Sequence, residues 1–200
     1  MLYIMSSKKE SDTRSNILQA SWRLMEQYPG RNISMGDIAK AVGISRQAVY
    51  LHFASRTELL IATTHYVDDI KGLNQQLETL QTAKNSIELL EMCITIWGKH
   101  IPEIYGVAKS LMMTKATDEA AQAAWDDSMG CLREVCENII HSLAQEKYLA
   151  PEWKQKEAVE FLWTMISIDT WEQLTQECHW SSNQFIKKIS YVLKSTLLRK

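Results

Sequence analysis

Between residues 45 and 56 the chain reads SRQAVYLHFASR, and no Asp or Glu interrupts it. Val49 and Phe53 lie four apart, the spacing of one helix face. If that face is buried, Ser45, Arg46, Gln47, Tyr50 and His52 turn outward. Each can donate hydrogen bonds, and a donor face without a carboxylate suits phosphate oxygens and the edges of bases. A merely solvated helix face more often carries Glu or Asp. Other chemistries find little support. No nucleophile motif, phosphate-binding loop or dinucleotide fingerprint is present. Glu137 and His141 are four apart, but third and fourth ligands are not obvious, so no metal and no cofactor are expected. His179 beside Cys178 is equally thin.

The elements that must hold this face are helical. The segment MGDIAKAVGISRQAVYLHF, residues 35–53, reads as two short helices with one glycine between them, the helix-turn-helix arrangement. Ser34 is a plausible cap for the first and Ser45 for the second. Ala39 is small where they cross, and Gly43 permits the positive φ of a tight turn. Ile38, Val42, Ile44 and Val49 are the apolar contacts that would fix the crossing angle. A preceding helix is expected over about 11–28, with Ile17, Leu18, Ser21, Trp22, Met25 and Tyr28 on one face and Pro29-Gly30 ending it. A following helix begins near Ser55, with Glu58 at capping-box spacing, and continues to about Leu80. An ordinary αα-hairpin would share much of this pattern, so a helical small-molecule carrier or enzyme with an incidental hairpin stands as the alternative.

Over about Ile17 to Leu60 the sequence resembles the TetR-like family of bacterial transcriptional regulators. Ile17-Leu18, Ala20, Leu24 and Gly30 match the family's first helix, and Asp37 through Ser45 match its second helix and turn. Tyr50, Phe53, Ser55, Glu58 and Leu59-Leu60 match the end of the recognition helix and the start of the next. Arg56 stands where the family usually has Lys. The resemblance implies a homodimer that places its third helix in the major groove of a palindromic DNA operator, probed by Tyr50, His52 and Arg56 on phosphates, with Ser34 capping helix two against the backbone. Arg46 and Gln47 are the candidates for base contacts, to guanine and adenine. It also implies a repressor released by a small-molecule effector of unknown identity.

The rest of the chain fits an all-α protein: an N-terminal three-helix helix-turn-helix domain and a C-terminal helical domain for effector binding and dimerisation. Its 200 residues contain 7 Gly and 3 Pro, too few turns for a many-stranded sandwich or barrel. The expected division is a flexible basic tail over 1–10, the DNA-binding domain over 11–55 and the second domain over 56–200. The net charge of −2 hides an asymmetry. Lys and Arg outnumber Asp and Glu eight to five in residues 1–60, a net +3, while the remainder carries fourteen against nineteen, a net −5. Further helices are expected over 86–101, 102–113, 118–147 and 151–177, and a last one from Ser181 or Ser182. Met92, Trp97, Tyr105, Met112, Trp125, Met129 and Trp163 could line a pocket for a bulky hydrophobic or cationic effector. Ile168, Trp171, Phe185, Ile189 and Val192 are the candidate dimer surface. The four scattered cysteines read as reduced, and no membrane span or signal peptide is visible, so a cytoplasmic, non-membrane protein is expected.

Overall fold

The computed structural model describes residues 2–199, ten α-helices with short 3-10 and π turns and, among those residues, no strand beyond one isolated bridge between Leu149 and Leu198. The chain divides into two units: residues up to 70 together with 106–128, and residues 71–105 together with 129 onward.

In the first unit, α1 spans Leu2–Gln27. The segment expected as a loose tail is therefore helical from Leu2; residues 2–10 contain no glycine or proline to stop a helix. The buried stripe of α1 is Ile17, Leu18, Ser21 and Met25, as its spacing indicates, whereas Tyr28 is exposed. Helix α2 spans Met35–Val42, α3 spans Arg46–His52 and α4 spans Arg56–Ile70. Ile38, Val49, Phe53, Leu59 and Leu60 join the α1 stripe in one core. Full burial of each such side chain contributes roughly 1.5–3 kcal/mol. Where α1 meets α4, the buried Ser21 and Thr63 hydroxyls lie 3.0 Å apart, and Thr63 donates to the Leu59 carbonyl at 2.7 Å. Helix α4 stops ten residues before the expected Leu80, because Gly72 adopts a φ of +74° and restarts the chain as the short α5, Leu73–Glu78.

Helix α6 spans Ser86–Thr114 without a break, against the expected stop at Pro102. A proline inside a helix removes one backbone hydrogen bond; along the other 28 residues the ladder and the apolar face hold. The C-terminal part of α6 belongs to the first unit, as does the start of α7, Glu119–Gln145. There Met113 lies over Gly30, and a Cβ at Gly106 would stand 2.8 Å from Glu26. The head is thus larger than the expected 11–55.

In the second unit, the expected helix over 151–177 is three pieces: α8, Gln155–Met165, α9, Ile168–Glu172, and a π turn over Gln173–Glu177. Ser167 makes the break: its backbone is extended, and its side chain accepts the Thr170 N–H to cap α9. Pro151 lies in the preceding turn, from which Trp153 donates to the Thr196 carbonyl at 2.7 Å. Helix α10 spans Ser182–Leu197, capped by Ser181. It approaches α6 closely enough that a Cβ at Gly98 would stand 2.5 Å from Ile186.

This packing corrects the expected dimer surface. Ile168, Trp171, Phe185 and Ile189 are all buried inside the chain. The α10 stripe that faces the core is Phe185, Ile189, Leu193 and Leu197, spaced by fours. Of the five candidates only Val192 is exposed, and its neighbour Tyr191 is 68% exposed.

Candidate nucleic-acid interface

Side-chain caps fix the starts of both α2 and α3. Ser34 Oγ accepts the Asp37 N–H at 3.1 Å while Asp37 Oδ2 accepts the Ser34 N–H at 3.0 Å, a reciprocal capping box. Those bonds from Ser34 hold the Asp37 carboxyl below the usual carboxylate range, and Arg31, 3.1 Å away, acts in the same direction. Gly43 ends α2 with a φ of +77°, and its N–H closes onto the Ala39 carbonyl at 2.9 Å. Nothing lies within 4 Å of where a Cβ would stand, so the glycine is required by backbone conformation and not by crowding. Ser45 then caps α3 by accepting the Ala48 N–H at 3.1 Å.

Helix α3 buries Val49 and rests Phe53 in the core, with the Arg14 guanidinium 4.7 Å above the Phe53 ring. Ser45, Arg46, Gln47 and Tyr50 are exposed and His52 is half-buried. Arg46 lies over the Tyr50 ring at 5.6 Å and donates to its hydroxyl at 3.3 Å, which orients both side chains one turn apart. Leu51, which sequence reasoning did not place outward, is 86% exposed on the same helix. The signal was present: residue 51 is off the line joining 49 and 53.

Two of the named residues are engaged within the chain. The Ser34 hydroxyl donates to Asp37 at 2.7 Å, so its proton is used in holding the start of α2. Arg56, expected to reach outward, is half-buried: it donates to the Ile33 carbonyl and, at 2.6 Å, to Asp118 Oδ1. Asp118 is buried and also accepts the Ala120 and Ala121 N–H groups, capping α7. Its hydrogen bond from Arg56 holds its carboxyl below the usual range, outweighing the opposing effect of burial. The pair thus joins the residue before the capping box, the start of α4 and the start of α7. No local pattern points to this pairing, because the two residues are 62 apart.

The expected pocket residues do not form one group. Met112 and Trp125 belong to the first unit, where Lys115 lies 4.1 Å over the Trp125 ring. In the second unit Trp97 donates to the Ile166 carbonyl at 2.7 Å and Trp163 to the Met129 carbonyl at 3.2 Å. Met92 lines a separate recess of about 390 Å³ with Glu88, Glu91 and Thr95. Tyr105 packs on Trp171, ring centres 5.0 Å apart, and donates to Glu172 at 2.7 Å. Burial, with that carboxylate, raises the Tyr105 hydroxyl to about 12. His141 bonds Gln145 at 2.8 Å and Glu137 lies near Arg133, an ordinary helix face. Among the described residues no His, Cys, Asp and Glu group could hold a metal, and no helix is long and apolar enough to cross a membrane.

The fold and this face define a class, the helix-turn-helix DNA-binding domains. Residues 17–63, under a quarter of the chain, match the family described as bacterial regulatory proteins, tetR family. Over 91 residues it is 32% identical to a nucleoid occlusion factor SlmA of Marinomonas, covering 45% of each chain. It is 37% identical over 54 residues to the regulator AcrR of Shigella flexneri, covering 27% of this chain and 25% of that one. The chain spans about half the length of the SlmA relatives it matches. The crystal structure of NalD, the secondary repressor of the MexAB-OprM multidrug efflux pump in Pseudomonas aeruginosa, shares the fold over 96% of this chain and 99% of its own, with a TM-score of 0.72 and 18% identity.

Proposed function

We propose that the chain is a sequence-specific DNA-binding regulator acting as a homodimer, with α3 of each subunit in a major groove. The observation that carries this reading is the donor face of α3, free of carboxylates and fixed by side-chain caps at Ser34 and Ser45. Arg46 and Gln47 take the base contacts, and Ser45, Tyr50 and His52 take phosphates. Arg56 serves by holding the corner between α3 and α4 through Asp118 and Ile33. Selection of bound DNA from a random pool tests the reading. A half-site repeated in opposite orientations, lost on Arg46→Ala with Tyr50→Ala in a protein that still folds, is the expected result. Binding unchanged by that double substitution overturns it.

Release by an effector is the regulatory half of the proposal, and the likeness to NalD, a repressor, supports that direction. Tyr105, Trp171 and Glu172 combine aromatic faces with a carboxylate, which favours a lipophilic cation. A hundredfold loss of operator affinity needs about 2.7 kcal/mol of coupling, and DNA must weaken the effector equally. Tryptophan fluorescence unmoved by a panel of such cations removes this half. The SlmA likeness supports a second reading, in which the DNA-bound dimer acts without controlling a promoter. Binding sites mapped across a genome separate the two, by clustering at promoters or spreading away from them.

A further inference from the structure

Leu51 is the most exposed of the large apolar side chains described, at 86%, ahead of Tyr191 at 68%. A single exposed leucine is ordinary on a protein surface. This one lies on the donor face of a seven-residue helix whose other side is committed to Val49. It stands one turn beyond Gln47 and beside the Arg46–Tyr50 pair. Residues four apart on a helix are surface neighbours. One turn advances about 5.4 Å, roughly one and a half base steps along a strand. The major-groove edges carry one apolar group, the 5-methyl of thymine, and an aliphatic side chain is its complement. We infer that Leu51 is a specificity-determining residue that packs on a thymine 5-methyl group one or two steps from the base read by Gln47. The inference rests on the DNA-binding reading above, and it adds a preference that no hydrogen-bonding residue on α3 supplies.

A substitution in the DNA isolates the contact. An operator half-site is first selected with the full chain, and each thymine is then replaced singly by deoxyuridine, which lacks only the methyl group. At one position the replacement should raise the Kd of the wild-type protein about fourfold, the weight of one buried methyl. Leu51→Ala should bind the two operators alike at that position and bind the thymine operator more weakly than wild type does. Its thermal unfolding midpoint should match wild type, since the side chain is exposed. Indifference of the wild-type protein to every replacement overturns the inference. So does a Leu51→Ala protein that keeps the full deoxyuridine penalty, or one whose midpoint falls. A chain that selects no DNA overturns the DNA-binding reading itself, a result distinct from these.

Discussion

Asp118 does three things with one oxygen: it caps α7 through two backbone N–H groups and binds Arg56. Removing one partner of such a buried pair leaves the other without compensation. Asp118→Ala is expected to cost about 2–4 kcal/mol, read as a lowered urea midpoint. The pH dependence has a definite sign. A carboxyl whose folded-state pKa is lowered contributes stability that is present above its unfolded value near 4 and is lost as pH falls through the folded value. Asp118→Asn should therefore lower stability at neutral pH and flatten the acid limb of the stability curve, checked by thermal melts from pH 7 downward. Gly43 makes a contrasting case, because only its φ of +77° is at stake. Gly43→Ala should lower stability by roughly 1–2 kcal/mol, the strain of a β-carbon in that region, and Gly43→Asn by less. Gly43 was legible from sequence, since a lone glycine between two short amphipathic runs has few other uses. The place of Asp118 at a helix start was legible too, but its pairing with Arg56 was not, since the partner lies 62 residues away.

At the scale of elements, legibility followed the caps. Ser34, Ser45 and Ser181 each begin a helix as their types indicated, and Glu58 reaches back, to the Ala54 N–H at 2.8 Å. Breaks inside apolar stretches were not legible. Gly72 and Ser167 divide what periodicity joins, and Pro102 does not divide what its chemistry suggests it should. In each case packing over many residues outweighs, or exploits, one weak local preference. Pro102 is exposed and within α6, so Pro102→Ala restores a backbone hydrogen bond at no loss of burial. It should raise stability, by up to about 3 kcal/mol, seen as a higher melting midpoint. Four of the five expected dimer-surface residues are buried in the chain for a related reason. An amphipathic stripe says that a face is covered, not whether by its own chain or by a partner. If dimerisation uses the outward side of α10, Tyr191→Glu with Val192→Glu should give a monomer by sedimentation equilibrium while the melting midpoint stays near that of wild type.

At the scale of the whole molecule, the all-α class was visible in the sparse glycine and proline, whereas the charge division of the sequence does not follow the two units of the fold. The expected border after residue 55 was not the real one, because the head recruits α4 and stretches of α6 and α7. If the carboxylate-free face of α3 meets phosphates as proposed, operator affinity should fall steeply with salt, by at least about tenfold between 50 and 200 mM. Fluorescence anisotropy at those two concentrations checks this, and a flat response counts against phosphate contacts from α3.

The head is not contiguous in the chain, and that bears on its birth. Arg56 leaves the ribosome 62 residues ahead of Asp118, its partner. At a synthesis rate of about 5–20 residues per second, that interval is roughly 3–12 s. During it the recognition corner has been made but cannot yet be latched. The helix-turn-helix corner of a nascent chain is therefore latched only once the start of α7 has emerged, well after α3 has been translated.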